Sequence, residues 1–207
     1  MKLYLSSMSP INKDELLKLV GKQSGLSVVI VPNAWDTYPK ERKELEVANC
    51  IALFKSCGFT TSVLDLTISD KQKVEDGLKN KTLVWVMGGN TFYLNLYLHK
   101  SGFSEVIKQH LDNGLVYGGE SAGAVVTGLT LHGIEHLDDP KESPEVIWEG
   151  LKLVDFSIIP HWGWEKYGEY LEKAKQEMEK STKVVTIDND KALVINGGEP
   201  YKVIVGV

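Results

Sequence analysis

The run Leu26-Ser-Val-Val-Ile-Val-Pro32 does most to limit what this chain can fold into. It is continuous and β-branched rather than alternating, so it suits a parallel strand buried on both faces. Parallel strands need crossover connections, usually helices. The surrounding sequence supplies them. Lys2–Ser6 reads as a first strand, and Pro10 to Val20 as a helix with Ile11, Leu16, Leu17 and Val20 on one side. Lys40 to Cys57 reads as a helix carrying Leu45, Ala48, Ile51, Ala52 and Lys55 at three-four spacing, stopped by Gly58. Thr60–Leu66 and Thr82–Met87 are further strands, with a short helix from Ser69-Asp70 to Leu78 between them. Helices follow over Phe92–His99 and through Phe103, Val106, Ile107, His110 and Leu111.

This alternation predicts an α/β fold, a doubly wound and mostly parallel sheet flanked by helices. The 207 residues suit one domain, 1–207. Past the fifth strand the pattern loosens. His132 to Pro144 is polar and reads as a solvated loop. Leu153–Pro160 is an apolar strand, and Trp164, Tyr167, Tyr170, Leu171, Ala174 and Met178 form the stripe of an amphipathic helix. Lys183–Ile187, Ala192–Ile195 and Tyr201–Val205 close the chain as a small antiparallel extension.

Where the fifth strand ends, Leu115-Val-Tyr-Gly-Gly-Glu-Ser-Ala-Gly-Ala-Val-Val126 reads as strand, sharp turn and helix start. Gly119-Glu-Ser-Ala-Gly123 fits G-x-S-x-G, which holds a serine on a strained strand-to-helix turn. Tight packing alone also explains small residues there. A dinucleotide site does not, because G-x-G-x-x-G needs glycine where Glu120 or Ser121 stands. Free N–H groups of the following helix face any anion formed beside Ser121, and the Ala122 N–H is the first half of an oxyanion hole.

Three features fall at the carboxyl ends of strands: Gly88-Gly-Asn-Thr91, Ser121 and His161. Open α/β sheets place their ligand crevice there. Ser121 is then the candidate nucleophile, His161 its base, and Gly89 the second N–H donor to the oxyanion hole. Gly88-Gly89 also fits a simple turn or an anion nest, and a lone His161 after proline also fits a structural role. A third group that fixes the imidazole tautomer has five candidates: Asp188, Asn189, Asp190, Asp138 and Asp139.

Charge and composition exclude other classes. A net charge of -5 leaves no basic excess for nucleic acid, and no run reaches the ~18 apolar residues of a membrane span. The N-terminus lacks a signal peptide's pattern. Cys50 and Cys57 lie seven apart and read as reduced, partly buried thiols, so the cytoplasm is the expected compartment. No His, Cys, Asp or Glu set has metal-site spacing; neither metal nor cofactor is expected. A homodimer would be unsurprising.

Gly88-Gly-Asn-Thr-Phe-Tyr-Leu94, Tyr117-Gly-Gly-Glu-Ser-Ala-Gly-Ala124 and Ile159-Pro-His-Trp162, in that order and spacing, resemble the dipeptidase E and cyanophycinase family of serine peptidases. The resemblance covers most of the chain. It implies a fold like class I glutamine amidotransferases, with serine at the elbow, Ser121 as nucleophile and His161 as base. It further implies a glutamate just before a short Ala-Leu strand. Counting back from Ala192, that place falls on Asn189. Either Asp190 or Asp188 takes the role, or Asn189 orients the ring as a neutral amide; Asp190 is the expectation.

The implied activity is hydrolysis of small peptides, including dipeptides with N-terminal aspartate. The chain's one arginine, Arg42, lies on an early helix, so a guanidinium clamp for that carboxylate is in doubt, and His132 or a lysine is the substitute. Two rivals stand beside this reading: another acyl hydrolase or amidase on the same scaffold, and a catalytically silent binding module, suggested by Asn189.

Overall fold

The structure is a computed structural model that describes residues 1–8, 12–21, 24–198 and 200–206. Its elements begin with β1 (Lys2–Ser6), α1 (Lys13–Val20), β2 (Ser27–Val31), α2 (Lys40–Ser56), β3 (Thr60–Val63) and α3 (Lys71–Leu78). They continue with β4 (Leu83–Val86), α4 (Thr91–Lys100), α5 (Phe103–Asp112), β5 (Val116–Glu120) and the short α6 (Ala122–Val125). The last are β6 (Ser157–Trp162), α7 (Glu169–Met178), β7 (Val184–Asp188), β8 (Lys191–Asn196) and β9 (Lys202–Val205). Pro10 and Ile11, the expected start of the first helix, lie outside the described residues. Asn12 caps α1 instead, its side chain accepting from the Glu15 N–H.

One sheet has seven strands in the order β3-β2-β4-β5-β1-β8-β9. The five strands from β3 to β1 run parallel, and β8 and β9 are added antiparallel. Strand alternation divides the core into two layers. Leu3, Leu5, Val29, Val31, Val84 and Val86 pack with α3, α4 and α5 on one face. Tyr4, Val28, Ile30, Leu83 and Trp85 pack with α1 and α2 on the other. The first face also meets Ile158, Val185 and Ile187 of a second, two-stranded sheet. The doubly wound architecture expected from the apolar runs is therefore the one observed, with its antiparallel C-terminal strands.

Three local expectations need correction. On α2, Leu45 is 52% exposed, and the sheet-facing line is Cys50 and Phe54, continued by Cys57. Phe54 sets it, because its ring meets Trp85 edge-on at 5.1 Å. The C-terminal strands are not one meander: β7 pairs in parallel with β6, and only β8 and β9 form a hairpin. Nor is 132–144 simply a solvated loop. Asp138 accepts from the Thr91 N–H at 2.9 Å and the Thr91 hydroxyl at 2.5 Å, pinning this segment onto the start of α4.

Candidate active site

Ser121 stands at the carboxyl end of β5 with φ 49 and ψ −113. A non-glycine residue in such a conformation costs of order 1–3 kcal/mol and persists only where its surroundings over-determine it. Here they do. The Ser121 N–H donates to the Ser6 carbonyl at 3.0 Å, and the Ser121 carbonyl accepts from the N–H groups of Ala124 and Val125. The two glycines of the pentapeptide are required by close approach. A Cβ on Gly119 would lie 2.3 Å from the Gly123 carbonyl oxygen, and one on Gly123 would lie 2.1 Å from that of Val86. The elbow is thus wedged against β4, with the Ser121 hydroxyl directed at the His161 ring.

The helix after the elbow is only four residues long, so the expected helix-end field is small. What remains is local. Ala122 opens α6, where its N–H has no carbonyl one turn back to donate to. Gly89 holds φ 133, and a Cβ there would meet the Ala34 carbonyl oxygen at 2.3 Å, so only glycine fits this loop after β4. Gly88 packs directly on Ser121: its Cβ would touch the serine Cβ at 3.0 Å. The elbow and the glycine loop therefore share one side of the crevice.

His161 reaches the serine from the second sheet. The pairing of β6 with β7 shifts register between Ile159 and Trp162, and His161 there has φ 61. This irregularity turns the ring towards β5. Ser121 Oγ lies 2.9 Å from His161 Nε2, and Asn189 Oδ1 lies 2.8 Å from Nδ1. The Asn189 oxygen can only accept, so Nδ1 carries the proton and Nε2 presents its lone pair to the serine hydroxyl. Burial holds the His161 pKa below the usual histidine value; the Asn189 contact opposes that shift, and the Lys166 charge adds to it.

The third position is the main correction to the sequence reading. Asn189, not Asp190, meets the imidazole. Asp190 is exposed, one residue further round the tight β7–β8 turn, and its carbonyl accepts from Gly206. Asp188 pairs with Lys191. Asp138 is committed to Thr91, and Asp139 caps the next turn through the Lys141 N–H. The parallel pairing explains the outcome: β7 lies beside β6, so the residue just past its end falls next to the residue near the end of β6.

Trp164 and Tyr167, expected on the face of a helix, precede α7 and crowd the imidazole, each with its ring centre 5.5 Å away. Lys166 lies over both rings, at 5.0 and 5.3 Å. Arg42 is engaged elsewhere, in an ion pair with Glu46 at 2.7 Å. His132 stacks on Trp148 at 4.3 Å. Ser7 was missed by sequence reasoning: it accepts from the His161 backbone N–H at 2.7 Å. No short motif surrounds it. Among the described residues no cluster of His, Cys, Asp or Glu could hold a metal ion, and no helix is long and apolar enough to cross a membrane.

The model of Peptidase family S51 matches residues 5–203. An uncharacterised peptidase of Pasteurella multocida is 28% identical over 196 residues, spanning 94% of this chain and 93% of its own. An uncharacterised peptidase of Listeria monocytogenes is 31% identical, over 70% of this chain and 71% of its own. Peptidase E of a Nostoc species is 33% identical over a shorter stretch, 53% of this chain and 43% of that protein. Among solved structures, a Listeria monocytogenes protein provisionally called Peptidase E superposes with a TM-score of 0.85 at 25% identity, covering 100% of this chain and 98% of that one. A peptidase from an acI-B1 actinobacterium shares the fold, with a TM-score of 0.80 at 19% identity over 100% and 88% of the two chains.

Proposed function

Since this chain belongs to peptidase family S51 and is a serine peptidase, we propose that it hydrolyses small peptides, dipeptides above all, through Ser121, His161 and Asn189. The observation that carries the reading is the 2.9 Å approach of Ser121 Oγ to His161 Nε2 on a strained elbow. His161 Nε2 takes the hydroxyl proton as Ser121 Oγ attacks the amide carbonyl. The N–H groups of Ala122 and Gly89 hold the oxyanion of the tetrahedral intermediate. The imidazolium then protonates the leaving amine, and water removes the acyl group by the same steps in reverse order.

Asn189 differs from a carboxylate in one respect that matters. It fixes the Nδ1–H tautomer but brings no negative charge to the imidazolium. The base therefore stays neutral to lower pH and is weaker. Lys166 is the candidate partner for a substrate carboxylate, in place of the occupied Arg42. N-terminal aspartate is one substrate this arrangement accommodates. The reading includes a cytoplasmic location, in keeping with two buried free thiols.

A fluorophosphonate probe with peptide mapping is the test. Labelling at Ser121, lost in His161→Gln, is the expected result; a dipeptide panel then defines the substrate. The neutral Asn189 favours one rival, a silent binding module. Absence of labelling, with no turnover of any dipeptide, would establish that rival instead.

A further inference from the structure

Ser7 lies just past β1, with no exposed surface, 154 residues from His161. Its hydroxyl oxygen accepts from the His161 backbone N–H at 2.7 Å and sits 3.4 Å from the ring Nδ1. The same N–H belongs to a residue at φ 61, a conformation that L side chains rarely adopt. A largely enclosed N–H at this strained point of β6 needs a partner, and the strand pairing at this irregularity supplies none. Ser7 is the partner.

The residues around Ser7 make further contacts with the site. Ser6, immediately before it, accepts from the nucleophile's N–H at 3.0 Å. The Ser7 N–H donates to the Lys191 carbonyl at 3.1 Å, two residues past Asn189. The end of β1 thus touches the segments that carry the nucleophile, the base and the ring's third partner. The ring itself is bounded by Asn189, Ser7, Ser121, Trp164 and Tyr167; the charged groups on the adjoining segments are Glu120 beside the serine, Glu165 and Lys166 after β6, and Asp188, Asp190 and Lys191 around the β7–β8 turn.

We propose that Ser7 is a positioning residue for His161: its hydroxyl holds the strained backbone while Asn189 holds the ring, and together they do what one carboxylate does in a charged triad. A carboxylate binds Nδ1–H strongly enough to orient the ring by itself. A neutral amide makes a weaker bond, roughly half as strong. A second, backbone-directed anchor offsets that loss. The inference rests on the functional reading above, in which His161 is the base.

The test uses the full chain with 15N-labelled histidine and three variants. Ser7→Ala removes the hydroxyl. Ser7→Cys fills the site with a slightly larger thiol but replaces a good acceptor by a weak one. Ser7→Thr keeps the hydroxyl. The side-chain 15N resonances of His161, assigned by their absence in His161→Gln, report its tautomer and pKa whether or not a peptide is turned over. The expected result is that Ser7→Ala and Ser7→Cys both lower the Nδ1–H tautomer population and the His161 pKa. Both also lower kcat about 10-fold with KM unchanged, and Ser7→Thr stays near wild type. Wild-type tautomer, pKa and kcat in Ser7→Cys would overturn the proposal, because packing and not the hydroxyl would then be what matters. Failure of the serine mechanism looks different: Ser121→Ala would retain turnover while the resonances still reported what Ser7 does to the ring.

Discussion

The two sides of the crevice are built in opposite ways. The side of the proposed nucleophile is mostly local: glycines within two residues of Ser121 wedge it on the adjacent strand β4, and one hydrogen bond to Ser6 adds to them. The base side is assembled from afar: Ser7, His161 and Asn189 come from three segments separated by 154 and 28 residues. Steric exclusion fixes one side, and a few neutral hydrogen bonds fix the other. Strain is common to both, at φ 49 for Ser121 and φ 61 for His161, but only the first is locked by backbone that cannot yield.

The largest expected effect lies on the local side. Ser121→Ala removes the proposed nucleophile without adding bulk, so peptide turnover should fall ~10³-fold or more with the melting temperature little changed. Unchanged turnover in purified protein would remove the serine from the mechanism. Gly123→Ala probes the wedge itself. With a Cβ forced to 2.1 Å from the Val86 carbonyl oxygen, it should destabilise the fold measurably and abolish probe labelling. A stable, labelled Gly123→Ala protein would mean that the elbow has slack.

The assembled side should respond by degrees. Asn189→Ala should lower kcat by about 10- to 100-fold, less than loss of the serine, because the amide orients the ring without stabilising its charge. Asn189→Asp sharpens the comparison. Burial depresses the His161 pKa, so the proposed base stays unprotonated, and activity should persist, below the pH where an ordinary histidine would already be charged. A carboxylate favours the imidazolium, so the acid limb of the kcat/KM profile should move up by about one pH unit or more. A limb that does not move would show that residue 189 does not govern the base. The smallest effect is expected for Lys166→Ala: a rise in KM for acidic dipeptides with kcat nearly constant, read from initial rates on a matched neutral and acidic pair.

The same contrast decides what was legible in the sequence. The elbow is readable because the residues its geometry demands fall within five positions, Gly119 to Gly123, even though Ser6 of β1 and Val86 of β4 complete the constraint. The parallel core is readable because strands buried on both faces must be apolar throughout. The stripe on α2 misled because Leu45, Ala48 and Ala52 keep helical spacing on a side that faces solvent, and only Phe54 against Trp85 reveals the true face. Charge favours Asp190 over Asn189. The choice actually turns on register, which places the first residue past β7 beside the end of β6. Ser7 leaves no trace in its own neighbourhood, since its role exists only once β1 and β6 have met. Chemistry that depends on a long-range backbone contact has no motif.

In the proposed mechanism these two differently built sides act as one catalytic unit. A double-mutant cycle on Ser121→Ala and His161→Gln measures it most directly, with turnover of a cleaved dipeptide as readout. The expected result is strong non-additivity: each single change costs nearly the full rate, and the double mutant loses little beyond either. Additive losses, with the double mutant slower by the product of the two single effects, would contradict the claim.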